Sequence, residues 1–219
     1  MGPTTIPRVK ICGNESVEEA WLGIKHGASA IGLVSHMPSG PGVITEDTIR
    51  EIAALVPPGI STFLLTCKQD AAAIIAQQRY CRTNTIQICD RLDMEVYREL
   101  RAAMPGIALV QVVHVTGEES VTEARSVASH VDAILLDSGN QSLAVKELGG
   151  TGRTHDWKLS RKIREGVNVP VFLAGGIKPQ NVRDAVDQVA PFAIDICTGV
   201  RTDGRLDEQK LSALFRELS

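Results

Sequence analysis

Two residues have the type and setting for proton transfer. Cys12 closes the run RVKIC (8 to 12), with Lys10 two residues before it. Read as a strand, this run alternates its side chains, so Lys10 and Cys12 share one face and the apolar Val9 and Ile11 the other. The apolar pair should meet helices, which turns Lys10 and Cys12 to the opposite side. An ammonium beside a thiol favours the thiolate, which can act as a base near neutral pH. The alternative is that Cys12 is a small core residue, as most free cysteines are. Asp137 closes AILLD (133 to 137) and shares a face with Leu135. Partial burial lets a carboxyl keep its proton to higher pH, which suits a general acid. Its alternative is an Asx turn into the polar stretch that follows.

A second group is suited to holding an anion. LAGGIKPQNV (173 to 182) and DICTGV (195 to 200) each follow an apolar run. Their glycines permit close backbone approach, and N–H groups free at a helix start attract phosphate. Gly175, Gly176, Cys197, Thr198, Gly199 and Val200 are the candidates, against a reading of both stretches as ordinary turns.

The elements that would position these groups alternate regularly. Short β-branched runs lie at 8 to 12, 30 to 34, 61 to 67, 85 to 89, 108 to 115, 133 to 137, 170 to 175 and 193 to 197. Helical patterns start near Ser16, Thr45, Asp70, Met94, Ser120, Trp157, Asn181 and Asp207. Eight such βα units predict an α/β fold, a (β/α)8 TIM barrel forming a single domain over 1–219, with its sites at the C-terminal ends of the strands. Ser16 with Glu19, and Thr45 with Thr48, have the spacing of helix caps. The stretch from Ser138 to Asp156 is rich in Gly, Asn, Ser and Thr, and its length predicts a loop over the barrel mouth.

Composition narrows the function classes. A net charge of −3 lacks the cationic surplus of a general nucleic-acid binder. No apolar run approaches the roughly 18 to 20 residues of a membrane span, so a cytoplasmic location is expected. The start MGPTTI has a glycine at position 2, but Ile6 stands where a myristoylation signal needs Ser or Thr, so no lipid is expected. Cys12, Cys67, Cys81, Cys89 and Cys197 contain no C-x-x-C pair and are expected as free thiols, with no metal site. Oligomeric state is open between monomer and homodimer.

KICG (10 to 13), GASAIGLV (27 to 34), LLDS (135 to 138), GGTGRTHDW (149 to 157), LAGGIKPQNV and DICTGV together resemble, in order and spacing, the phosphoribosylanthranilate isomerase family. The resemblance covers almost the whole chain. It implies an Amadori rearrangement of a phosphorylated sugar substrate in tryptophan biosynthesis, without cofactor. Carried over by position, Asp137 is the general acid and Cys12 the general base. Lys10 and Asp195 are expected as supporting residues.

Three departures from the family stand out. Its Ser-Pro-Arg segment, whose arginine meets the substrate carboxylate, is replaced by HMPSGPGVIT (36 to 45), with Gly42 or Gly40 at the arginine. Its Gln-Leu-His-Gly is Gln87, Ile88, Cys89, Asp90, and its Ser-Ser-Gly-Val-Glu is Cys197, Thr198, Gly199, Val200, Arg201. His36, Arg153 and Arg201 are the candidates to replace the lost guanidinium. The departures leave open a different phosphosugar substrate or a non-catalytic phosphometabolite-binding barrel. Four cysteines at strand ends also raise a thiolate metal site as an alternative.

Overall fold

The computed structural model describes residues 6–219. The lipid-free start expected at Gly2 lies outside them. Strands and helices alternate as β1 (Arg8–Ile11), α1 (Val17–Lys25), β2 (Ala30–Val34), α2 (Glu46–Leu55), β3 (Ser61–Thr66), α3 (Ala71–Cys81), β4 (Thr85–Ile88) and α4 (Met94–Ala103). They continue as β5 (Ala108–His114), α5 (Glu119–Val127), β6 (Ala133–Asp137), α6 (Trp157–Gly166), β7 (Val171–Leu173), α7 (Val182–Val189), β8 (Ala193–Ile196) and α8 (Glu208–Leu218). Each strand pairs in parallel with the next, and β8 pairs with β1 to close the barrel. The fold is therefore a (β/α)8 TIM barrel.

The alternation read from the sequence separates two cores. Val9, Ile11, Ile134 and Leu136 pack outward under the helices. Phe63, Leu65, Val110, Val112, Leu135 and Phe172 fill the barrel interior, where Cys12 also sits. Both expected caps form, since Ser16 Oγ accepts from the Glu19 N–H at 3.3 Å and Thr45 Oγ1 from the Thr48 N–H at 3.1 Å. The Glu19 carboxylate does not return to Ser16; it takes the Glu15 N–H at 3.1 Å.

The expected strand at 170 to 175 is only three residues long. Pro170 has no N–H to give to a ladder, and at the other end Gly175 and Gly176 take φ of 81° and 62°, which turns the chain off the sheet. Between β8 and α8 lies a short antiparallel pair, Arg201–Thr202 with Arg205–Leu206, that the sequence reading missed. Its turn is Asp203 and Gly204, both with positive φ.

Candidate active site

The site is built where β1, β6, β7 and β8 end. Lys10 is wholly buried inside the barrel, and its Nζ meets Asp195 Oδ1 at 2.8 Å across the β1–β8 pairing. Burial works against both charges. On Lys10 the Asp195 carboxylate and Cys12 outweigh it and the ammonium is held more firmly than usual, whereas on Asp195 burial wins and the carboxyl is pushed up. The 2.8 Å contact favours the ionised pair. Gly32 on β2 makes this packing possible. A Cβ there would lie 2.8 Å from Cys12 Sγ and 2.9 Å from Lys10 Nζ. Sequence reasoning missed Gly32, although a glycine inside a strand is itself a signal of close approach.

Cys12 differs from the expectation in one respect. Lys10 does favour its thiolate, but the neighbouring Cys197 thiol and then burial outweigh that, and Cys12 is held well above the ordinary thiol range. Cys197 is lowered, first by Cys12 and then by Arg201, against burial. The physical unit is the pair: one thiolate is stabilised by the other thiol, and a second is suppressed.

Asp137 sits opposite, buried at the end of β6. Its Oδ1 accepts the Ser138 N–H at 2.7 Å. Its Oδ2 faces the following loop, where a Cβ on Gly149 would come within 3.0 Å. The carboxylate thus anchors its own loop and also lines the pocket with Cys12, Gln87 and Asp195.

That loop, 138 to 156, covers the mouth as expected, with Leu148 through Gly152 forming one wall. It is pinned by the Asn140–Glu147 bridge and by Ser39, whose Oγ donates to Lys146 O at 2.8 Å. Of the phosphate candidates, Gly175, Gly176, Cys197 and Thr198 line the pocket. Gly176 must lack a side chain, because a Cβ would lie 2.6 Å from the Arg153 carbonyl carbon. Gly199 packs the loop after β8 on the loop after β7: a Cβ there would fall 1.9 Å from Ile177 O. Val200 faces away from the pocket, buried in the outer core.

None of the three cations considered for the substrate carboxylate faces the pocket. The guanidinium of Arg201 is bound behind β1 by Glu19, by Gly204 O at 2.8 Å and by Gly13 O. Arg153 pairs with Glu147, and His36 is exposed. Among the described residues, no Lys, Arg or His lines the pocket. Gly42 cannot carry a substitute, since a Cβ there would sit 2.8 Å from Gly13 Cα.

The structure gathers Cys12 and Cys197 but makes no thiolate metal cluster: among the described residues no three His, Cys, Asp or Glu side chains are so grouped. Burial pushes the Cys89 thiol up to about 12. No helix of the described residues is long and apolar enough to cross a membrane.

His155, in the loop over the mouth, is half-buried with Nε2 2.7 Å from Ser160 Oγ. Burial, opposed by Asp137 and Asp156, lowers its pKa to about 4. A group that binds protons less readily when folded adds stability above its unfolded pKa of about 6.5, lost as pH falls towards the folded value. The drop in Tm between those pH values should therefore be shallower in His155→Gln than in wild type; parallel melting curves would refute it.

Residues 9–217 match the family model described as N-(5'-phosphoribosyl)anthranilate (PRA) isomerase. The chain belongs to the N-(5'-phosphoribosyl)anthranilate isomerase family. It is an isomerase, and the family function lies in tryptophan biosynthesis. The N-(5'-phosphoribosyl)anthranilate isomerase of Methanocella arvoryzae is 33% identical over 210 residues, covering 96% of each chain. That of Haloferax volcanii is 35% identical over 209 residues, covering 95% of this chain and 90% of its own. Among solved structures, the isomerase from Thermotoga maritima superposes with a TM-score of 0.83 at 28% identity, over 97% of this chain and 98% of that one. A phosphoribosylanthranilate isomerase solved with reduced 1-(o-carboxyphenylamino)-1-deoxyribulose 5-phosphate superposes with a TM-score of 0.81 at 27% identity, with the same coverage.

Proposed function

We propose that this isomerase converts N-(5'-phosphoribosyl)anthranilate into 1-(2-carboxyphenylamino)-1-deoxyribulose 5-phosphate, with Asp137 as general acid and Cys12 as general base. The observation that carries the reading is the placement of these two groups at the ends of β1 and β6 in one pocket. The glycine loops after β7 and β8 line the same pocket and would hold the substrate phosphate on their backbone N–H groups. Asp137 gives its proton to the furanose oxygen as the C1–O bond breaks, and the anilino nitrogen supplies the electrons of the Schiff base. The Cys12 thiolate then removes the C2 proton, giving an enolamine that tautomerises to the ketone. Each step is a proton transfer, within the reach of positioned side chains. Because Cys12 and Cys197 favour a single thiolate, the pair supplies the base when the charge resides on Cys12.

The test is loss of anthranilate-type fluorescence when the purified chain meets the synthesised substrate. Turnover supports the reading, and inertness with retained binding of ribose 5-phosphate overturns it. A second reading, a phosphosugar substrate without a carboxylate, is favoured by the absence, among the described residues, of a cation from the pocket lining. An aniline analogue lacking the carboxylate should therefore keep kcat/KM within about tenfold of the anthranilate substrate, a difference under about 1.4 kcal/mol. A loss of about a hundredfold or more would show that a charged partner does reach that carboxylate.

A further inference from the structure

We propose that Cys12 and Cys197 are a site of oxidative modification, joined as a disulfide in the pocket wall between β1 and β8 when a hydroperoxide enters. The register of β1 on β8 sets Lys10 opposite Asp195 and Ile11 opposite Ile196. The next pair in that register is Cys12 and Cys197, and the Cys12 N–H continues the ladder to Ile196 O at 2.8 Å. Neighbouring strands run roughly 4.8 Å apart, inside the Cα separation of about 4.4 to 6.8 Å that a disulfide spans. Alternation turns both side chains to the pocket, and both line it. Gly13 keeps the space beside them clear, since a Cβ there would stand 3.0 Å from Cys197 Sγ.

The chemistry suits this pair better than Cys81 or Cys89. Cys197 is partly exposed, near the Arg201 guanidinium, and is the thiol whose charge is favoured. Its thiolate attacks a peroxide oxygen: an S–O bond forms, the O–O bond breaks, and the peroxide is reduced as sulfur becomes a sulfenic acid. The Cys12 sulfur then displaces hydroxide from that sulfenic sulfur, forming the S–S bond. Two thiols and one hydrogen peroxide thus give one disulfide and two waters. Cys81 and Cys89 are buried, and burial pushes each thiol up to about 12, which leaves little thiolate to react.

The loss of activity that follows rests on Cys12 being the base; the bond itself does not. The full chain is treated with stoichiometric hydrogen peroxide, free thiols are alkylated, and the peptides are weighed. The expected product is the Cys12 peptide joined to the Cys197 peptide, lighter by two hydrogens, with turnover falling in step and both changes reversed by dithiothreitol. Cys197→Ser, compared with its own untreated rate, should form no such link. Sulfinic acid at either cysteine without the link, or a link to another cysteine, overturns the proposal. The link with turnover undiminished leaves the modification standing and removes Cys12 from the role of base.

Discussion

Asp137→Asn is expected to lower kcat by about 10² to 10⁴, the range that a positioned general acid contributes, while leaving KM and thermal stability near their wild-type values. The substitution is nearly isosteric, and the amide oxygen can still accept the Ser138 N–H that Oδ1 now accepts at 2.7 Å. The loop carrying Gly149 therefore keeps its anchor. What is lost is a proton that can be given to the furanose oxygen and taken back, since an amide does not exchange one in this pH range. Cys12→Ser is the matching variant on the other side of the pocket. Its hydroxyl fits where the thiol did, beside Gly32, but is a far weaker acid and so supplies almost no anionic base. Steady-state fluorescence assays of both variants, each with a melting curve, decide the matter. Activity within tenfold of wild type for either one, with the fold intact, removes that residue from the proton transfers.

The barrel was legible because its signals are local and periodic. Alternation in RVKIC and AILLD assigned the inner and outer faces of β1 and β6 correctly, and Ser16 and Thr45 marked the starts of their helices. The pocket was legible where residue type and strand end coincide, at Cys12, Asp137, Gly175 and Gly176. What escaped depends on contacts between segments far apart in sequence. Nothing near Cys12 announces Cys197, 185 residues on, yet that neighbour and not Lys10 dominates the state of its thiol. Arg201 looked like a spare cation, but Glu19, 182 residues earlier, holds it behind β1. Gly42, with Gly40 one of the two positions that stand where the family has its arginine, looked like a lost binding residue. Its reason is steric, because the chain there lies against Gly13.

Lys10→Met should destabilise the chain by about 3 to 5 kcal/mol, the usual consequence of removing one member of a buried ion pair. The methionine fills much of the lysine stem's volume, so the loss is electrostatic: Asp195 remains inside the barrel with its cation gone. Burial already pushes the Asp195 carboxyl up with Lys10 in place, and without the ammonium the neutral acid is favoured further. An acid whose folded pKa exceeds its unfolded value binds more protons when folded, so this contribution to stability falls as pH rises. The deficit of Lys10→Met relative to wild type should therefore shrink towards acid pH. Adding Asp195→Asn removes the stranded charge and should recover much of the loss at neutral pH. Urea unfolding of the single and double variants at two pH values measures both effects. A deficit that is independent of pH and is not relieved by Asp195→Asn would mean that the contact of the ammonium with the Phe63 ring, whose centre lies 5.2 Å from Nζ, outweighs the ion pair.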